Sequence, residues 1–346
     1  MSGPVVGLGL FSGGLDSILA CRVLLRQGIR VVGLKFVTPF FDYDLLARAQ
    51  EYGQAMHRRY GIEVVVVDIS PDSLHLLAAP VHGFGRYFNP CIDCKIMMLR
   101  TARGLMAEYG ASFLFTGEVL GQRPMSQRRD AMRIIERDSG CEGILLRPLC
   151  ARLLPPSRVE LDGLVDREQL LAFSGRGRKD QLALAAELGI SDYPNPAGGC
   201  MLTDPNLSAR IRQVYEGGFF TDGLPRIEDI RLLTVGRQFR PADDTWCILG
   251  RDERENARLE ALRRPGDWLV RMVSRPGPSA LVRPFGVLSA ERREELARQV
   301  AGLVVRYGKK EEGGRPPAEV LVDWGVGEQR LIAGPVDEAQ MDAWRI

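Results

Sequence analysis

Short apolar runs alternate with amphipathic segments through the first half of the chain. The run at 62–69 is nearly all β-branched and apolar, as expected for a strand buried on both faces. Between the runs, apolar residues recur at helical spacing, and Gly28 and Gly61 follow two of these segments as helix-ending residues. Strands are predicted at 5–10, 31–37, 62–69, 111–116 and 144–146. Helices are predicted before Gly28 and at 42–60, 96–109, 124–138, 166–172, 179–188 and 202–215, with a loop-rich segment at 70–90. This order predicts an α/β fold with a doubly wound parallel sheet.

The pattern changes after residue 225. Short β-like runs appear at 230–235, 246–249, 268–273 and 319–324. One clear helix is predicted at 290–307, and strands with a segregated helix are typical of a second, smaller α+β domain. We therefore predict an N-terminal domain at 1–190, a cysteine-bearing segment and linker at 191–225, and a C-terminal domain at 226–346.

Composition narrows the class of protein. The 346 residues are 45% hydrophobic and 26% charged, which is ordinary for a globular protein. Because the net charge is only +2, any nucleic-acid binding must come from local patches. No apolar run reaches the ~20 residues of a membrane span, so we expect a cytoplasmic protein without a membrane partner. Seven cysteines, an odd number, favour metal or redox chemistry over structural disulfides.

The first strand leads into a loop that carries hydroxyl, glycine and carboxylate groups. Its sequence is Ser12-Gly13-Gly14-Leu15-Asp16-Ser17. Glycines at a helix N-terminus let backbone N–H groups approach a phosphate, and the two serines add donors. Asp16 would repel a bare phosphate, so it should either cap the helix or act as a counter-ion to a metal. Thr38 and Asp68, near the ends of strands two and three, are candidates for adenosine contacts or polar residues of the sheet edge.

A Cys-x-x-Cys pair at Cys91 and Cys94 precedes the predicted helix at 96–109. A helix N-terminus lowers the pKa of a thiol, which favours thiolate, and this spacing serves zinc, iron–sulfur clusters and redox pairs alike. Cys200 ends a non-helical segment at 193–200 that is rich in proline and glycine. The remaining cysteines are predicted to be core residues. They are Cys21, Cys141, Cys150 and Cys247.

A basic loop lies between the short helices at 166–172 and 179–188. It contains Arg176, Arg178 and Lys179 beside two glycines. Such a loop is suited to phosphate contacts, although the alternative of a simply solvated loop stays open.

Four features, in family order over roughly 5–190, resemble the 4-thiouridine synthetase branch of the PP-loop ATP pyrophosphatase family. They are the Ser12–Ser17 loop; Cys94-Lys95-Ile96-Met97-Met98-Leu99-Arg100; Thr116-Gly117-Glu118-Val119-Leu120-Gly121-Gln122 with Ser126-Gln127; and Leu146-Arg147-Pro148-Leu149. The resemblance implies a PP-loop, HUP-like fold and cleavage of ATP between its α and β phosphates to adenylate a substrate. It also implies that Thr116, Gly117, Gln122 and Ser126 line the nucleotide or substrate site, with Mg²⁺ as a cofactor.

Nothing in these residues resembles the family's usual N-terminal RNA-binding region with its THUMP module, or its rhodanese-like sulfur carrier. The set Cys91, Cys94 and Cys200 resembles tRNA thiolases that hold a 4Fe-4S cluster by three cysteines. Such a cluster leaves one iron open for sulfide. Two alternatives remain open: a persulfide on Cys200 with Cys91 or Cys94 as the resolving thiol, and purely structural cysteines.

Residues 249–268 resemble the RNA-binding domain of the NFACT proteins, within a match of about 231–285. The resemblance rests on Gly250-Arg251-Asp252, then Asn256 and Ala257, and Asp267 farther on. It implies that nearby arginines contact RNA phosphates, unless this region is a solvated helix of a dimerisation module. The candidate arginines are Arg237, Arg240, Arg251 and Arg254.

Together these resemblances predict an ATP-dependent tRNA uridine thiolase, a tRNA sulfurtransferase that releases AMP and pyrophosphate. Expected partners are tRNA and either inorganic sulfide or a sulfur-donor protein, with a homodimer left open. Two alternative functions also remain: a PP-loop enzyme that adenylates a small molecule, and an RNA-binding factor that only senses nucleotide.

Overall fold

The structure is a computed structural model that describes residues 4–194, 200–217, 219, 223–311 and 314–346. It forms two compact units, Met1–Thr203 and Asp204–Ile346, and the division falls inside the predicted 191–225 segment. Part of the predicted cysteine-bearing segment, 195–199, and part of the predicted linker, 218 and 220–222, lie outside the described residues. No described helix is both long enough and apolar enough to cross a membrane.

The N-terminal unit contains a five-stranded parallel sheet in the order β3-β2-β1-β4-β5. Its strands are β1 (Val6–Leu10), β2 (Arg30–Val37), β3 (Glu63–Asp68), β4 (Phe113–Thr116) and β5 (Leu145–Leu146). Its helices are α1 (Leu15–Arg26), α2 (Ala49–Tyr60), α3 (Ser70–Ala78), α4 (Cys91–Tyr109), α5 (Arg129–Ser139), α6 (Arg158–Leu161) and α7 (Lys179–Glu187). Separate apolar clusters lie on the two faces of the sheet, so the predicted doubly wound α/β fold is confirmed.

Four predicted segments differ from the structure. The helix predicted at 166–172 is only a short 3₁₀ helix, Arg167–Gln169. The segment 42–60 is a 3₁₀ helix, Tyr43–Arg48, followed by α2, and it is preceded by Asp42 in the left-handed region at φ 56°. The loop predicted at 70–90 contains α3, which begins at Ser70-Pro71, a sequence that favours a helix start. The helix predicted at 124–138 begins only at Arg129, because 121–127 closes a turn instead.

The order of the strands places two loops side by side. β2 and β3 lie on one side of β1, whereas β4 and β5 lie on the other, so the order in which the chain adds strands reverses between β1 and β4. In doubly wound sheets, ligands bind at this reversal, outside the carboxyl ends of the strands. The Ser12–Ser17 loop follows β1 and the 116–122 segment follows β4, so both occupy this position.

The C-terminal unit is built on a six-stranded antiparallel sheet in the order β11-β10-β8-β9-β7-β6. Its strands are β6 (Arg237–Ala242), β7 (Thr245–Leu249), β8 (Trp268–Met272), β9 (Ser279–Pro284), β10 (Ala318–Asp323) and β11 (Glu328–Ala333). Its helices are α8 (Pro205–Glu216), α9 (Ile227–Leu233), α10 (Glu253–Ala261), α11 (Ala290–Tyr307) and α12 (Glu338–Trp344).

Helix α11 matches its predicted range and packs its apolar face against the sheet, which confirms the smaller α+β fold. The strand predicted at 230–235 is wrong, because these residues belong mainly to α9. The buried residues of α9 include Ile230, Leu232 and Leu233. In so short an apolar run, the spacing of such residues does not distinguish a helix from a strand.

Candidate functional site

The loop after β1 is organised by hydroxyl and glycine groups. Ser17 Oγ donates to the Gly14 carbonyl oxygen at 2.7 Å, and Ser12 Oγ donates to Ser17 Oγ at 3.2 Å. Gly13 has a φ of +83°, which suits glycine. Gly14 is the N-cap of α1 and no side chain caps this helix, so its first N–H groups remain available to an anion. The loop therefore has the form of a phosphate-binding turn.

Asp16 does not cap α1, so that part of the prediction is wrong. Its Oδ2 accepts a hydrogen bond from Gln122 Nε2 at 3.1 Å. Its Oδ1 is buried and has no hydrogen-bond partner among the described residues. A buried carboxylate oxygen without a partner is costly, and a Mg²⁺ ion would satisfy it. The role of Asp16 as a metal counter-ion stays a prediction.

The segment after β4 packs directly on the Ser12–Ser17 loop. A Cβ at Gly117 would come within 2.6 Å of the Asp16 carbonyl oxygen, so only glycine permits this approach. Gln122, five residues on, reaches the carboxylate of the same Asp16. Thr116 is buried, and its hydroxyl donates to Glu118 Oε2 at 3.0 Å. Asp16, Gly117 and Gln122 thus form one site, whereas the Thr116 side chain bonds Glu118.

Other candidates, proposed from the family resemblance or from their place at strand ends, hold turns in the described structure. The Gln127 side chain accepts from the Arg123 backbone N–H at 3.1 Å, which braces the turn at 121–127, and Ser126 is buried in that turn. Thr38 is fully buried and accepts from the Phe40 N–H, and Asp68 accepts from the Ser70 N–H at the start of α3. Any nucleotide contact by these residues stays a prediction.

Three residues beside the loop were missed by sequence reasoning. Lys35 is buried, and its Nζ donates to the Ser12 carbonyl oxygen at 2.6 Å and to Asp42 Oδ2 at 2.5 Å. The hydroxyl of Tyr52 lies 2.7 Å from the position of a Cβ at Gly13. Burial, followed by the nearby charge of Asp42, raises the pKa of Tyr52 to about 12, so its hydroxyl keeps its proton. A lysine inside an apolar strand is the one sequence signal that could have revealed this group.

The structure brings the three cysteines of the predicted set into one neighbourhood. Cys91 and Cys94 lie in the first turn of α4, and Asn89 Nδ2 donates to Cys91 Sγ at 3.2 Å. Burial, and then the proximity of Cys200, raises the pKa of Cys94 to about 12. Burial raises the pKa of Cys200 to about 11, against the charge of Arg123 and with a contribution from Cys91.

The expected thiolate at Cys94 is therefore wrong for the protein without a metal. Desolvation of the buried thiol outweighs the favourable effects of the helix N-terminus and of Lys95. All seven cysteines lie among the described residues and are free. The four predicted core cysteines are buried, as expected: Cys21, Cys141, Cys150 and Cys247.

The donor set fits an iron–sulfur cluster in kind, since it consists of three thiols from two segments that influence one another electrostatically. It is not gathered into a ligand group: within the described ranges, no three His, Cys, Asp or Glu side chains are arranged to hold a metal ion. The segment at 195–199, which leads into Cys200, lies outside those ranges.

A network of ion pairs joins Lys95, which follows Cys94 in α4, to residues that follow β4 and β5. Glu118 lies between Lys95 Nζ at 3.7 Å and Arg147 Nε at 3.1 Å, and Arg147 also contacts Glu136 at 2.8 Å. Burial alone would raise the pKa of Glu118, but the charges of Lys95 and Arg147 hold it below its usual value. Glu118 therefore stays ionised and holds Lys95 beside Cys94.

The basic loop lies against the 116–122 segment. Gly175 N donates to the Leu120 carbonyl oxygen at 2.8 Å, so the loop follows the edge of the site. Arg176 and Lys179 are exposed and Arg178 is half-buried. This placement is compatible with phosphate contacts, which stay a prediction.

In the C-terminal unit, Gly250, Asp252 and Asn256 of the sequence signature take part in the packing of the fold. Asn256 Oδ1 accepts from the Ser279 N–H at 2.9 Å and would lie 2.1 Å from a Cβ at Gly250. Asp252 accepts from the Glu255 N–H and caps α10. The signature therefore ties α10 to β9.

The candidate RNA-contacting arginines of this unit differ in their surroundings. Arg254 is exposed, whereas Arg251 forms an ion pair with Glu255. Arg237 lies over the Tyr307 ring, and Arg240 lies over the Phe219 ring. RNA contact by these residues stays a prediction.

Family models match both units. Residues 2–152 match the family described as thiamine biosynthesis protein (ThiI), and residues 236–345 match the NFACT protein RNA binding domain. The predicted resemblances are confirmed over these ranges. The first match is shorter than the predicted 5–190, and the second is longer than the predicted 231–285.

Curated relatives match only part of the chain. A probable tRNA sulfurtransferase of Thermococcus kodakarensis is 26% identical over 42% of this chain and 37% of its own length. A tRNA sulfurtransferase of Sodalis glossinidius is 34% identical over 41% of this chain and 28% of its own length. The chain thus spans about a third of the length of these relatives.

Among solved structures, a U34-tRNA thiolase of Methanococcus maripaludis with its [4Fe-4S] cluster is similar to this chain. The identity is 19%, over 57% of this chain and 61% of that one, with a TM-score of 0.33.

Proposed function

We propose that the chain is an ATP-dependent tRNA uridine thiolase located in the cytoplasm. The observation that carries the proposal is a link from the phosphate-binding turn to Cys200, made of two hydrogen bonds from Lys35 and the electrostatic influence of Asp42. Lys35 joins the Ser12 carbonyl oxygen to Asp42, and the charge of Asp42 in turn acts on Cys200. A nucleotide held at the turn would therefore lie beside the group of three thiols. The curated relatives, which bear the name tRNA sulfurtransferase, support this reading.

The first step would be adenylation of the base. The uridine carbonyl oxygen bonds to the α-phosphorus of ATP, and the bond from that phosphorus to the bridging oxygen breaks, so pyrophosphate leaves. Ser12, Ser17 and the free amides at the start of α1 would hold the phosphates. Asp16, oriented by Gln122, would bind the Mg²⁺ that neutralises the developing charge.

The second step would replace oxygen by sulfur. Hydrosulfide, supplied as inorganic sulfide or released as HS⁻ by a donor protein, bonds through its sulfur to the activated carbon, its proton passes to solvent, and AMP leaves with the former carbonyl oxygen. A [4Fe-4S] cluster held by Cys91, Cys94 and Cys200 would supply an iron with an open position for that sulfur. Lys95, held by Glu118, and Arg123 would place positive charge beside these thiols.

The basic loop and the C-terminal unit would hold the tRNA. Arg176, Arg178 and Lys179 lie beside the 116–122 segment, where they could contact the phosphates that flank the target uridine. The match of residues 236–345 to an RNA-binding domain supports the role of the second unit.

The test uses the full chain purified without oxygen. With ATP, sulfide and unmodified tRNA, we expect AMP, pyrophosphate and thiolated uridine, the last detected by retarded migration in a mercury-containing gel. AMP formation without tRNA would favour adenylation of a small molecule. No AMP under any condition would contradict an enzyme and favour a nucleotide-sensing RNA-binding factor.

Cysteine variants separate the two steps. Cys200→Ala should lose thiolation while keeping most of the tRNA-dependent AMP formation, because the phosphate-binding turn is untouched. Cys141→Ala is the matched control, since Cys141 is a core thiol outside the proposed set. Iron and sulfide analysis should show about four irons per chain in the control and a loss in Cys200→Ala. Equal iron in both proteins would remove Cys200 from the ligand set.

A further inference from the structure

The C-terminal unit contains a cleft that the proposed reaction does not use. Its volume is about 1140 Å³, and it opens between loops at the ends of the strands. The wall is formed by the start of α9, the turn before β8, the loop after β9 and the turn after β10. The residues that carry the argument are Arg226, Arg264, Trp268, Val287, Arg293 and Trp324.

Aromatic and apolar groups line much of this cleft. The rings of Trp268 and Trp324 meet edge to face, with centroids 4.7 Å apart, and Trp324 is half-buried. At the rim, Val287 is 100% exposed and Val326 is 94% exposed. Two exposed valines beside an accessible tryptophan offer a surface that a flat, apolar ligand face would cover.

The charge of the wall is positive. Four arginines and two aspartates are among its described lining residues. The buried Arg283 pairs with both aspartates, Asp229 at 2.6 Å and Asp267 at 2.5 Å, and so offsets one of their two negative charges. Arg263 pairs with Asp323, and the remaining arginines keep the wall positive. Arg264 Nη1 is buried and has no hydrogen-bond partner among the described residues, although it lies 3.3 Å from Asp229 Oδ1. Arg226 and Arg293 are exposed. The cleft is therefore suited to an anion.

We propose that this cleft binds one unpaired nucleotide of an RNA strand. A nucleotide joins a planar, apolar face to a phosphate, and the cleft places tryptophans next to arginines. The base would stack on Trp324, and the flanking phosphates would meet Arg293 and Arg226. A base within a duplex has both faces covered by its neighbours, so the cleft selects single-stranded segments. The inference rests on the proposed RNA substrate and names where unpaired nucleotides of that RNA are held.

The experiment measures binding of a labelled four-nucleotide oligouridylate to the full chain by fluorescence anisotropy, without ATP. Arg293→Glu should weaken binding at least tenfold. Arg298→Glu is the matched control, because it makes the same charge change on the solvent-facing side of the same helix, outside the cleft, and it should change binding less than twofold. Trp324→Ala should weaken binding at least tenfold, whereas Trp324→Phe, which keeps an aromatic face, should stay within threefold.

Competitors identify the ligand class. An abasic oligomer with the same phosphates and a blunt RNA duplex should each compete at least tenfold more weakly than oligouridylate. Equal competition by the abasic oligomer, or by oligoglutamate, would overturn a nucleotide site. Equal effects of Arg293→Glu and Arg298→Glu would also overturn it. Because the assay contains neither ATP nor sulfur, it can fail while tRNA thiolation succeeds, and it can succeed while thiolation fails.

Discussion

Gly117 lies against the backbone of Asp16, so that the loop after β4 closes on the phosphate-binding turn after β1. A Cβ at position 117 would approach the Asp16 carbonyl oxygen to 2.6 Å and the Ser17 Cα to 2.8 Å, and both are backbone atoms that cannot rotate away. The two loops belong to strands that are neighbours in the sheet although about a hundred residues separate them in the chain. The site is therefore assembled by the strand order.

Gly117→Ala should weaken ATP binding at least tenfold, because the start of α1 must shift to accept the methyl group. Gly104→Ala is the control: Gly104 lies in α4 with no neighbouring atom within 4 Å of its Cβ position, so alanine should be neutral or slightly stabilising. Isothermal titration with a non-hydrolysable ATP analogue measures both. Unchanged affinity in Gly117→Ala would contradict a nucleotide site at these loops.

Lys35→Met tests the buried ion pair beside the turn. The substitution removes the donor to the Ser12 carbonyl oxygen and the partner of Asp42 while keeping an apolar side chain of similar length. We expect about tenfold weaker ATP binding, since the turn loses its brace from β2. Lys310→Met, at an exposed lysine of the other unit, provides the control. Equal affinities in the two variants would mean that Lys35 serves only the stability of the sheet.

Sequence reasoning recovered the parts of the molecule that local pattern determines. The strands of the parallel sheet follow from apolar runs, and the turn at 12–17 between β1 and α1 follows from its glycines and hydroxyls. Helix α3 was missed even though Ser70-Pro71 is a recognisable start, because the apolar stripe behind it is short. The partners of Lys35 could not be predicted, since Asp42 bonds Lys35 with its own backbone in the left-handed region, which is unusual for a residue other than glycine.

The charged core of the C-terminal unit shows the same limit. Arg283 lies in a strand that otherwise reads as apolar, and its partners lie 54 and 16 residues away in sequence, at Asp229 and Asp267. No local pattern connects three such residues. The pairing forms only when α9 and the turn before β8 both pack against β9. The same two segments form part of the wall of the cleft.

Arg283→Met should destabilise the C-terminal unit by about 3–5 kcal/mol, because it leaves two buried carboxylates with only Arg264 as a nearby cation. Arg298→Met, at an exposed arginine of α11, should cost less than about 0.5 kcal/mol. Urea unfolding followed by tryptophan fluorescence gives both free energies. Adding Asp229→Asn and Asp267→Asn to Arg283→Met should restore part of the loss. A loss that these two changes do not reduce would place its cause in packing rather than in unpaired charge.

Cys247 gives a pH dependence whose sign can be worked out. Burial raises the pKa of its thiol from an ordinary value of 9.0 to about 12. The folded state therefore keeps a proton that the unfolded state loses above pH 9, so the stabilisation is complete below pH 9 and declines as the pH rises toward 12. We expect the difference in unfolding free energy between the unmodified chain and Cys247→Ala to shrink by about 1.4 kcal/mol from pH 8 to pH 10. Urea titrations of both proteins at the two pH values measure this difference. The contributions of the titratable groups that the two proteins share cancel when it is taken. A difference that stays constant or grows with pH would show that the thiol is not desolvated in the folded protein.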